Sequence, residues 1–307
     1  MRKILPYIAL FSVVIVISIS IMFNQSKTID KFIYYYGSYN ITTLVDEDNF
    51  LNINLYVNND KSYFVDKYQI NECYIQNIDS IIDLEINNIY NTKEVVKYKN
   101  TNYYKFIYKF KVLFNTTEEI KWNLNDVTLY LRYNDNKEYN LNIGDISINK
   151  INDNDTILAI SNIKPLTSVI NNNTILTGLI IGVRNSKENN SIIINKISVL
   201  DANISVGNKI EILNDIPKTN SFNEVSNYNY SSIKKGEEEV NIKVTNASTY
   251  LFIPIFYNNV TVASKFPIEI SYIYNNDLYR YVLYDYTFYE PINVIINDNN
   301  LIICEIK

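Results

Sequence analysis

From residue 32 onward, apolar and polar side chains alternate along the chain. In FLNINLYV, Leu51, Ile53, Leu55 and Val57 alternate with Asn52, Asn54 and Tyr56, and in IIDLEIN, Ile82, Leu84 and Ile86 alternate with Asp83, Glu85 and Asn87. Successive side chains of a strand point to opposite faces, so a two-residue period describes sheets with one dry and one wet face. YYKFIYKFKVLF repeats the pattern, with Tyr104, Phe106, Tyr108, Phe110, Val112 and Phe114 on one face and Lys105, Lys109 and Lys111 on the other. One buried face per strand predicts antiparallel packing. Asn/Asp clusters such as NND, NDN and NDNN separate the runs, and with only 6 Gly in the chain Asn must often supply the left-handed turn positions. No long helical period occurs beyond the first segment. The predicted body is all-β, built as two-sheet sandwiches.

Two of these patterns return. Val127, Leu129, Leu131 and Tyr133 run into Asn134-Asp135-Asn136, and Ile268, Ile270, Tyr272 and Tyr274 run into Asn275-Asn276-Asp277. Upstream, FVDKYQI from Phe64 parallels IINKISV from Ile193, in the same order. Ordered echoes predict a duplicated domain. Pro165 restricts its predecessor within the polar SNIKPLTSVINNNT, which places the boundary there. The expected division is residues 1–29 as a membrane segment, 30–163 as a first sandwich and 164–307 as a second. Residues 214–239 of the second form a polar loop without a strand pattern, expected either to be mobile or to contact another molecule.

Ile4–Phe23 is apolar apart from Tyr7, Pro6 and three Ser, and about 20 residues is the length a helix needs to cross a bilayer. Arg2 and Lys3 precede it, so the positive-inside bias predicts a cytoplasmic N-terminus and an exported body. SISIMFNQS offers a poor cleavage site, which favours an uncleaved single-pass anchor in the cell membrane. A net charge of -5 supplies no basic field for nucleic acid. Only Cys73 and Cys304 are present, read as two unpaired thiols, so no disulfide framework holds the fold.

Composition also limits the chemistry. The chain contains no His, which excludes Ser-His-Asp, Cys-His and His-metal sites. Ser-x-x-Lys occurs at Ser147, Ser161, Ser231 and Ser232, without the companion motifs of penicillin-binding enzymes. The pairs Asp46/Asp48 and Asp153/Asp155 read as solvated turns, and INDNDT lacks the Gly and distal Glu of a calcium loop. Neither a metal nor an organic cofactor is expected. Sequons, such as those at Asn40, Asn115, Asn203 and Asn246, arise freely in so Asn-rich a chain.

Aromatic residues offer the one candidate surface. In LYRYVLYDYTFYEP, Arg280, Val282, Tyr284, Tyr286 and Phe288 share one face, while Tyr279, Tyr281 and Tyr289 share the other. If the second face is buried, Arg280, Tyr284, Tyr286 and Phe288 form an exposed row able to anchor a partner.

The strand spacing resembles that of immunoglobulin-like modules, although the Cys, Trp, Cys signature is missing and Trp122 stands alone in EEIKWNLND. The resemblance implies two tandem immunoglobulin-like β-sandwiches; with the membrane segment and the missing catalytic motifs, the expectation is a transmembrane-anchored protein outside the cytoplasm, working by binding. An envelope protein is the first expected partner and a cell-surface glycan the second. The alternatives are a carboxylate-based carbohydrate-active enzyme, which needs two acids converging in one cleft, and a passive spacer.

Overall fold

A computed structural model describes residues 30–113, 116, 118–152, 156–170, 173–187, 191–226, 229–258, 266–284 and 301–306. The predicted membrane segment lies outside them. Among the described residues no helix is long and apolar enough to cross a membrane.

Eight strands open the chain: β1 (Lys31–Tyr35), β2 (Gly37–Leu44), β3 (Phe50–Val57), β4 (Ile70–Gln76), β5 (Ile81–Tyr98), β6 (Thr101–Val112), β7 (Ile120–Tyr133) and β8 (Glu138–Ile151). The alternation read from the sequence decides their inner faces. Leu51, Ile53, Leu55 and Val57 of β3 and Phe106, Tyr108, Phe110 and Val112 of β6 meet Val127, Leu129, Leu131 and Tyr133 of β7 in one core. β1, β3 and β6 form one layer, while β4, β7, β8 and β2 form the other. β5 serves both, pairing with β4 through Ile81–Asp83 and with β6 from Leu84 onward.

The chain changes layers at Tyr36. β1 pairs with β3, whereas β2 runs parallel to β8 with Gly37 opposite Gly144. Gly144 has φ +103°, and a Cβ there would stand 2.0 Å from the Gly37 carbonyl oxygen. Only glycine tolerates both conditions. A short 3-10 turn, Tyr63–Val65, plugs the core with Phe64, whose carbonyl accepts hydrogen bonds from the hydroxyls of Tyr108 (2.6 Å) and Tyr133 (3.0 Å).

The second unit contains β9 (Leu158–Ile170), β10 (Asn173–Asn185), β11 (Ile192–Val199), β12 (Ile204–Val206), β13 (Glu211–Leu213), β14 (Glu239–Val244), β15 (Thr249–Tyr257), β16 (Ile268–Tyr274) and β17 (Asp277–Leu283). One sheet has the order β12-β15-β10-β9, with β13 also on β15, and the other β14-β11-β16-β17. Leu179, Ile181 and Val183 of β10 and Ile253 of β15 face Ile194, Ile270 and Tyr272 across a separate core. Strand adjacency repeats between the units: β1-β3-β6 corresponds to β9-β10-β15, and β4-β7-β8 to β11-β16-β17. The first sequence echo falls on matching hairpins, β7–β8 and β16–β17. Their turns use Asn136, Asn275 and Asn276 at positive φ. The second does not match element to element, because residues 64–69 run through two 3-10 turns, with Ile70 only the first residue of β4, whereas residues 193–199 lie in β11.

Two boundaries differ from expectation. Residues 163 and 164 lie inside β9, and the cores part between Ile151, which ends β8, and Ile157, where the second core begins. Pro165 is not a breaker here. It sits in an edge strand with its nitrogen on the side away from β10, where no ladder donor is required. The last strand, β18 (Leu301–Glu305), falls by position in the expected second sandwich but pairs with β1 of the first.

The polar loop is structured where described. It carries α1 (Phe222–Val225) and a 3-10 turn, Tyr230–Ser232. Phe222 and Ile233 pack on Leu166, Ile180 and Phe252, making a third layer on the outer face of the β9-β10-β15 sheet. Gly178 makes room for it, since a Cβ there would lie 3.2 Å from the Phe222 ring. Four apolar residues dispersed through a polar segment anchor it: Phe222, Val225, Tyr230 and Ile233.

Candidate functional site

The row on β17 serves the molecule itself. Tyr279 and Tyr281 turn toward the second core, as expected. The opposite face meets the first unit. Arg280 forms a two-pronged ion pair with Glu119 and stands 3.8 Å from Glu269, while Val282 is buried. Tyr284 is half-buried just past β17, and Tyr286 and Phe288 lie outside the described residues.

Arg280 belongs to a polar seam joining the units. Lys121 Nζ donates to Glu269 Oε2 at 2.8 Å, and Glu269 is only 8% exposed. The Asn40 and Asn149 side chains both donate to the Leu200 carbonyl, at 2.7 and 3.3 Å. The Asn203 amide donates to Asp145, and the Ala202 N–H donates to Ser147 Oγ. Asp201 lies among them, accepting from the Asn203 N–H at 2.9 Å and from Asn40 at 3.4 Å. Burial, which these hydrogen bonds offset only in part, pushes its carboxyl up to about 6. Arg280 beside Glu119 holds that carboxyl below its ordinary value. Asn40 and Asn203, two of the sequons, are engaged in this seam.

The other candidate chemistry is likewise engaged. Ser147 donates to Asn123 Oδ1, while Lys150, three residues along β8, donates its ammonium hydrogens to the carbonyls of Val45 and Glu47. Nucleophile and base do not meet. Lys111 pairs with Asp48 at 2.8 Å, and Asp153/Asp155 lie outside the described residues. Among the described residues no group of three or more Cys, Asp or Glu could hold a metal ion. Cys73 and Cys304 are free, and burial pushes the Cys73 thiol up to about 12.

A different feature is open. Beside the third layer of the second unit lies a cleft of about 550 Å³, lined by Val169, Ile175, Ile233 and Phe256, with the rings of Tyr230 and Tyr257. The tyrosine hydroxyls turn away from it: Tyr230 donates to the Ile255 carbonyl at 2.8 Å and Tyr257 to that of Leu176 at 2.9 Å. What faces the cleft is mainly hydrocarbon, with Ser168, Asn223, Asn229 and Ser231 completing the lining. Its volume lies within the ~300–1,000 Å³ typical of ligand sites. The sequence offers one weak sign of it, the apolar Val169 and Ile175 flanking an Asn-rich stretch.

No protein-family model matches the chain, and no curated protein matches it. A solved chain described as "Complete structure of manganese lipoxygenase of Gaeumannomyces graminis and partial structure of zonadhesin of Komagataella pastoris" overlaps 81% of this chain and 89% of its own, at 10% identity and a TM-score of 0.23. A likeness that slight carries no argument.

Proposed function

We propose that the chain is an extracytoplasmic binding module, anchored in the cell membrane by residues 4–23 and built from two tandem immunoglobulin-like sandwiches. Its β1-β3-β6 and β4-β7-β8 adjacencies, repeated as β9-β10-β15 and β11-β16-β17, correspond to the A-B-E and C-F-G layers of that architecture, which supports duplication. The parallel β2–β8 pair, with the first strand divided between layers, supports the same assignment.

The observation that carries the functional reading is the apolar cleft beside the open side of β9, a surface that gains by being covered. The engaged tyrosine hydroxyls favour a protein partner over a glycan. Residues 4–23 and the exported orientation rest on the sequence signals alone.

The test uses the full-length protein in its own membranes, with a photo-crosslinking residue at Val169 and, separately, at Ile78 in the β4–β5 turn, which is 98% exposed. A specific partner captured from either position supports binding. Capture from neither, with the protein intact and membrane-bound, favours the spacer and ends this reading. Recovery of the protein in the cytosolic fraction would end the anchor and export assignment.

A further inference from the structure

We infer that the partner binds as an extended peptide, adding to β9 at Val169 and seating an apolar side chain in the adjacent cleft. This rests on the binding-module reading and specifies its ligand.

The edge is defined by backbone geometry. On the side away from β10, the Thr167 N–H donates to the Asn220 carbonyl at 2.8 Å, and Thr167 forms a parallel bridge with Ser221. The chain thus already lays a segment of its own along this edge. That segment turns off into α1 immediately after Ser221. Backbone groups of residues i and i+2 share one side of a strand, so the Val169 N–H and C=O point the same way as those of Thr167. Among the described residues no strand pairs with β9 there beyond the Thr167 bridge. An incoming strand can therefore continue where the internal one leaves.

The cleft supplies the second element of recognition. Val169 is 74% exposed and itself lines the cleft, so edge and cavity are contiguous. Main-chain bonds along an edge give affinity without sequence preference, and a pocket for a side chain gives selectivity. Because both tyrosine hydroxyls are already donating to the backbone, the cleft favours an apolar side chain over a polar one.

The probe is a phage-displayed library of random ten-residue peptides, selected on the full-length chain in detergent micelles. Enriched peptides are then synthesised and titrated by fluorescence anisotropy. The expected winners carry an apolar residue within a proline-poor stretch. Methylating their backbone nitrogens at every second residue should weaken binding on the order of tenfold in one phase and little in the other, because alternate N–H groups pair with β9. Val169→Pro removes the receiving N–H at an exposed edge position and should weaken binding similarly. Val169→Arg, placing charge at the cleft mouth, should do the same while leaving main-chain donors intact. No enriched peptide, or peptides indifferent to the methylation phase and to both substitutions, overturns the inference. A partner crosslinked in membranes alongside such a failure would leave the binding module standing and remove only this ligand.

Discussion

At the residue scale, the centre of the first core is a polar atom kept satisfied. The Phe64 carbonyl, buried under the plug, receives the hydroxyls of Tyr108 and Tyr133. A buried carbonyl with one donor left is still paired, whereas one with none carries its full desolvation cost of about 1–3 kcal/mol. Tyr108→Phe and Tyr133→Phe should therefore each cost about 1 kcal/mol, and the double substitution more than their sum. Urea unfolding of the four proteins measures the coupling, and strict additivity would show that the two hydroxyls act independently. The inward row of β7 was legible in sequence because alternation records which side chains are dry. The hydroxyl contacts were not, since Phe64 sits in a 3-10 turn whose path no period describes. Arg280 shows the converse limit. Its place opposite Tyr279 and Tyr281 marked it as outward-facing, but alternation does not distinguish an outward face in water from one against a second unit.

At the element scale, the segment 214–239 shows how few apolar residues can fasten a long connection. Phe222 is fully buried in the small cluster that holds the third layer. Phe→Ala in a core costs about 3–5 kcal/mol, and here the loss should fall on the layer more than on the sandwich beneath it. Phe222→Ala is expected to speed hydrogen exchange and proteolysis within residues 214–239 while β10 and β15 keep their protection. Equal loss of protection in β10 would mean that the layer and sheet unfold as one unit. The anchors of this segment follow neither a helical nor a strand period, so its sequence reads as loop. Pro165 lies inside β9 for a related reason: it is a punctuation mark in most contexts, but an edge strand accepts it on its unpaired side. Hairpin turns were more readable, since Asn at a positive-φ turn position carries its own physical reason.

At the scale of the whole molecule, the seam links the relation of the two units to pH. Asp201 sits among amides and hydroxyls from β2 and the segment after β11, with Asp145 one hydrogen bond beyond through Asn203 and Tyr257 also close enough to repel its charge. Burial raises its carboxyl to about 6. A raised carboxyl means that the folded seam holds the proton more tightly than the unfolded chain. Its contribution is complete below the ordinary Asp value, about 4, and is lost as pH rises through about 6. Glu119 has the opposite sign. Arg280 lowers its value, so its contribution is present above the ordinary Glu range and is lost as pH falls through the folded value. The seam is then tightest in mildly acidic solution and loosens on either side. Between pH 5 and pH 8 the loss should be about 1.4 kcal/mol, a few degrees in melting temperature. Thermal melts of the full chain at pH 5 and pH 8, followed by near-ultraviolet circular dichroism, read the difference. Asp201→Asn keeps a neutral side chain of the same shape and should remove most of that gap, whereas Asp145→Asn, which leaves the Asp201 carboxyl in place, should keep most of it. An unchanged gap in Asp201→Asn would place the titrating group elsewhere and leave the seam a fixed joint.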